Sequence, residues 1–72
     1  MLFPLYKGLK YNYCYEVETS HYLLSDNENK KEVYLQGDDA KIFYYQIMSI
    51  DELKYSKNKT QLLTDNLLSS YL

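Results

Sequence analysis

The sequence predicts an α+β fold, a three-stranded antiparallel sheet followed by two helices in the order β-β-β-α-α, within one domain over residues 1–72. Three observations predict it. Residues 11–18 alternate strictly between aromatic or β-branched and polar side chains, which is the period of a half-buried strand. A cluster of turn formers, Ser25-Asp26-Asn27-Glu28-Asn29-Lys30, separates two further short apolar runs, as a hairpin loop does. After Gly37 the apolar spacing lengthens to that of a helix.

In the first strand Tyr11, Tyr13, Tyr15 and Val17 share one face, and Asn12, Cys14, Glu16 and Glu18 the other. Leu5–Leu9 extends this strand toward the N-terminus, with Gly8 marking a bend or bulge. Residues 20–25 form the second strand. Lys31–Gln36 forms the third, with Val33 and Leu35 opposite Glu32, Tyr34 and Gln36. Consecutive short strands with tight connections most simply make a meander. Gly37 ends the third strand. Asp38 is then placed to cap a helix through its carboxylate, and Asp39 to complement the helix dipole. Ala40, Phe43, Tyr44, Ile47 and Ile50 recur at helical spacing, while Ile42, Tyr45 and Met48 lie off that stripe and widen the apolar arc. Ser49 and Glu52 match a capping box for a short helical turn. Thr60 is the expected cap of a last helix carrying Leu62, Leu63, Leu67, Leu68, Tyr71 and Leu72.

Composition narrows the function. Nearly half of the 72 residues are apolar and a quarter are charged, the balance of a folded protein. The net charge is -2, and all 8 basic residues are lysine. Specific DNA readout and phosphate clamping favour clustered basic residues, arginine above all. An AT-rich coding sequence produces the same bias, and the consequence for recognition is unchanged. The single Cys14 forms no internal disulfide, and no Cys/His set has the spacing of a structural zinc site. No secretory leader or membrane-length apolar run is apparent, so the expected location is the cytoplasm.

The ten tyrosines are the most informative residues. A buried phenol needs a partner for its hydroxyl, so a small core holds few of them comfortably, and tyrosine is favoured at interfaces. Tyr11, Tyr13 and Tyr15 read equally as packing beneath helices or as an exposed aromatic face. Tyr45 lies off the helical stripe and Tyr55 falls in a polar stretch; with Tyr34 and Met48 they are the expected partner-binding residues. An aromatic sheet face also stacks nucleotide bases, but here Glu16 and Glu18 interleave and would repel phosphate. Catalytic candidates are thin. Cys14 and His21 could meet across a hairpin, yet nothing in the sequence lowers the thiol pKa. Capping explains Asp38 and Asp39 without a metal. Asn58-Lys59-Thr60 matches a glycosylation sequon, and Lys54, Lys57 and Lys59 read as a solvated basic loop. No catalytic residue, cofactor or metal is expected.

The segment from Glu32 to Phe43, a strand closing on Gly37-Asp38-Asp39-Ala40 and opening a helix, resembles small accessory proteins encoded by phages and prophages. The resemblance covers about a dozen residues of generic strand–cap–helix chemistry. It implies a non-enzymatic protein that binds a protein partner, in the class that includes anti-CRISPR proteins acting on a host defence complex. A homodimer would also cover surplus apolar surface. The alternative is a small nucleic-acid-binding module using the aromatic sheet face.

Overall fold

The computed structural model describes residues 1–72. Strands β1 (Leu2–Lys7), β2 (Tyr11–Glu16), β3 (His21–Asp26) and β4 (Lys31–Leu35) precede helices α1 (Gly37–Glu52) and α2 (Lys57–Tyr71). The sheet is an antiparallel meander of order β1-β2-β3-β4. The α+β class and the two helices are as the sequence predicts; the sheet has four strands, not three. The N-terminal segment is a separate edge strand, joined to β2 through a turn in which the Gly8 N–H donates to the Tyr11 carbonyl at 2.9 Å. Its pattern hid it for two reasons. Most of its side chains are exposed, and a bulge between Pro4 and Tyr6 breaks the alternation at Leu5. Pro4 fits the edge. The Met1 carbonyl accepts from Val17 N–H, so Phe3 bonds β2 through its backbone and the Pro4 nitrogen points outward, where no ladder donor is missed.

The strand tyrosines other than Tyr34 lie on the face that both helices cover. Register pairs Tyr13 with Leu24 and Tyr15 with Tyr22, then Tyr22 with Leu35. Tyr11, Tyr13, Tyr22, Leu24 and Leu35 join Ala40 and Phe43 of α1 and Leu68 of α2 in the core. Phe43 is fully buried. Its ring meets Tyr13 at 5.2 Å, Tyr22 at 5.0 Å and Tyr71 at 5.6 Å, all near edge-to-face, the arrangement ring quadrupoles favour. Val17 leaves the predicted alternation, because β2 stops at Glu16 and Val17 is exposed in the turn.

The helix ends differ from expectation. Gln36 precedes α1 without capping it through its side chain, and the predicted cap Asp38 lies inside the first turn with Asp39. Gly37, at φ +59, makes the change of direction that glycine tolerates best. Helix α1 runs unbroken to Glu52. Ser49 therefore starts no new turn, and its hydroxyl donates to the Tyr45 carbonyl at 2.9 Å. Ser56, not Thr60, caps α2, accepting from Lys59 N–H at 3.3 Å. In the β3–β4 hairpin the buried Asp26 carboxylate accepts from the N–H groups of Glu28 and Asn29 and from the Asn29 amide. These bonds, the Asn29 side chain foremost, hold its pKa below the usual aspartate value.

No helix is long and apolar enough to cross a membrane.

Candidate functional site

Of the four expected partner-binding residues, the structure brings two together. Tyr45 and Met48 both lie on α1, and Tyr45 is 61% exposed. Tyr34 is equally open but projects from the opposite sheet face, since its neighbours Val33 and Leu35 point at the core. There Pro4, Cys14, Leu23 and Tyr34 form one cross-strand row. Tyr55 lies in the α1–α2 connection, with the Lys59 ammonium 4.0 Å from its ring centroid.

Beside Tyr45 and Met48 the helix borders a cleft that the sequence does not announce. Neither helix fills the space between the β1 bulge and one flank of α1. The opening there, about 290 Å³, is lined by Leu5, Tyr13, Tyr22, Tyr44, Ile47, Met48 and Asp51. It continues past Leu5, Tyr13, Ile47 and Asp51 toward Lys57, Thr60 and Gln61 at the start of α2. The bulge makes the cleft, because it places Leu5 beside Tyr6 on the helix-facing side instead of across the strand. Tyr44, assigned by spacing to the core stripe, stands on the cleft shoulder at 46% exposure, in edge contact with Tyr45.

The phenols of this region fall into two kinds. Tyr6 donates to the Asp65 carboxylate at 2.7 Å, tying β1 to α2, and Tyr71 donates to the Gln46 side-chain oxygen at 2.7 Å, tying α2 to α1. Burial, the Asp65 bond and the Asp65 charge push the Tyr6 pKa up to about 12. Tyr13 and Tyr22 are only 7% and 9% exposed, yet neither hydroxyl bonds within the chain. Burial, then the nearby Asp51 charge and Tyr22, push Tyr13 up to about 12. Burial and the neighbouring Tyr15 and Tyr44 raise Tyr22. Both phenols therefore stay neutral at physiological pH.

The catalytic candidates lie away from this cleft. Cys14 lies opposite Leu23, and His21 lies opposite Glu16; the thiol and imidazole are diagonal neighbours on the open sheet face. Glu16 instead holds the Met1 ammonium and Glu18 N–H, contacts that depress its pKa, the N-terminal bond most. No group of three or more side chains is placed to hold a metal ion. Asn58, Lys59 and Thr60 form part of the first turns of α2. Comparison with protein-family models, with curated proteins and with solved structures returns no match.

Proposed function

We propose that this chain is a small non-enzymatic protein-binding module of the phage accessory type, which acts in the host cytoplasm by occupying the surface of a host defence complex. One observation carries the binding reading. Fourteen large apolar side chains are exposed, against eight apolar residues in the core. Several concentrate around α1 and the β1 edge: Phe3, Leu5, Ile42, Tyr44, Tyr45 and Met48. Leu5, Tyr44 and Met48 border one opening and Tyr44 contacts Tyr45; exposed apolar side chains grouped in this way on so small a protein point to association, and tyrosine and methionine are interface-favoured types. The nucleic-acid alternative loses its main support, because the tyrosine-bearing sheet face lies beneath the helices.

Affinity capture from host cells tests the reading. Tyr45→Ala and Tyr55→Ala should each reduce recovery of the partner, since both rings are exposed and their loss leaves the core intact. Equal recovery by both variants and the unmodified chain would rule out this surface. Gel filtration across a wide concentration range tests the homodimer, and strictly monomeric elution removes it.

A further inference from the structure

The cleft between β1 and α1 has the chemistry of a receptor for a protonated amine. Its floor and shoulder are the rings of Tyr13, Tyr22 and Tyr44, and its sides are Leu5, Ile47 and Met48. Asp51 is the one charged residue lining it. The Asp51 carboxylate takes part in none of the ion pairs of the chain. Lys57 lines the adjoining end of the opening with Asp51 but forms no ion pair with it. The Tyr13 and Tyr22 side chains are largely buried, their hydroxyls make no hydrogen bond within the chain, and both residues line the cleft, so the two oxygens are free to accept from a guest. On the cleft shoulder stands the exposed Tyr44 ring, whose quadrupole attracts cations, and beside it one unpaired carboxylate.

These features select among guests. An anion would meet the Asp51 carboxylate. A purely apolar guest would leave the Asp51 carboxylate without a counter-charge. A protonated amine on an aliphatic stem matches the lining: the stem lies against Leu5, Ile47 and Met48, and the ammonium meets the Tyr44 ring, the Tyr13 and Tyr22 hydroxyls and Asp51. The size fits one long side chain, since about 290 Å³ falls at the small end of the roughly 300–1,000 Å³ typical of ligand sites. Exposed Tyr45 and Ile42 continue from the shoulder over α1 and would rest on the surface around that side chain.

We propose that this cleft receives a lysine side chain of the protein partner, with Asp51 pairing the ammonium and the exposed Tyr44 ring beside it. The inference rests on the protein-binding reading and names the chemistry its partner must present.

The test is a titration of the isotope-labelled full chain with the blocked tripeptide acetyl-Gly-Lys-Gly-amide, followed by NMR. The expected result is saturable shifts at the methyl groups of Leu5, Ile47 and Met48 and at the rings of Tyr13 and Tyr22. Asp51→Asn should weaken binding by roughly two- to fivefold, the range of an exposed ion pair. Tyr13→Phe, which keeps the ring and removes the hydroxyl, should weaken it less. Norleucine in place of lysine, the same stem without the charge, should bind about tenfold more weakly or not at all. Free butylamine separates the sources: binding as tight as that of the tripeptide would replace the partner's lysine with a small amine and overturn the docking proposal. Equal affinity for the norleucine peptide, tighter binding of a glutamate peptide, or no saturable shift with the lysine peptide would also overturn it. Those outcomes leave the capture experiment with Tyr45→Ala and Tyr55→Ala untouched, so the two readings fail separately.

Discussion

The Tyr6–Asp65 hydrogen bond is expected to hold the edge strand β1 to α2, and removing it tests how the fourth strand is secured. Tyr6→Phe deletes only the hydroxyl and leaves the ring stacked on Tyr13 at 6.0 Å between centroids. The bond is short, at 2.7 Å, and its acceptor is a carboxylate. Hydrogen bonds to charged groups contribute about 1.5–3 kcal/mol. Both residues are half-buried, so water competes for the freed carboxylate and the expected loss falls to about 1–2 kcal/mol. A domain of this length has a total stability of roughly 4–11 kcal/mol, so the change is readable by urea denaturation. A double-mutant cycle with Asp65→Ala isolates the pair, with an expected coupling of about 1 kcal/mol. Native-state hydrogen exchange should show β1 amides losing protection before those of β2 and β3. A coupling near zero, with β1 protection unchanged, would refute the reasoning and assign β1 to its backbone ladder alone.

Three further outcomes follow from the packing and the phenols. Tyr6 and Tyr13 have folded pKa values raised to about 12 from 10.0, so their neutral forms stabilise the fold fully below pH 10 and that contribution is lost as pH rises from 10 through 12; tyrosinate absorbance followed with circular dichroism should show late ionisation coupled to unfolding, and a single step near pH 10 with the fold intact would contradict it. Phe43→Ala removes the ring at the junction of sheet and both helices and should cost about 3–5 kcal/mol, measured as a lowered denaturation midpoint. Lys30 closes the β3–β4 hairpin at φ +57, a left-handed conformation that strains an L-residue, so Lys30→Gly should raise stability by up to about 1 kcal/mol; a fall in the thermal midpoint would count against that account.

Legibility in the sequence followed exposure and periodicity. Strands β2, β3 and β4 and both helices could be read because each buries one face and so repeats its apolar residues. Strand β1 could not, since it buries little and its bulge resets the alternation at Leu5. The caps were misplaced for a related reason: Asp38 and Thr60 are good capping residues by type, but Gly37 and Ser56 stand where the backbone turns. Among the candidate site residues, Tyr45 could be picked out because it lies far from the core stripe. Tyr44 could not, because spacing assigns it to that stripe and only the gap beside β1 leaves it exposed.

The tyrosines mark the division most clearly. Their number and alternation determined by themselves that one sheet face would be aromatic. Whether that face would meet solvent, a partner or the protein's own helices was a tertiary matter. The helices cover most of it, turning Tyr11, Tyr13 and Tyr22 into core. The bulge and the offset of α1 leave one strip open above Tyr13 and Tyr22. Alternation fixes which side chains share a face because it is a local property of the chain. What covers the face depends on where distant elements pack, and no local pattern encodes the gap between them.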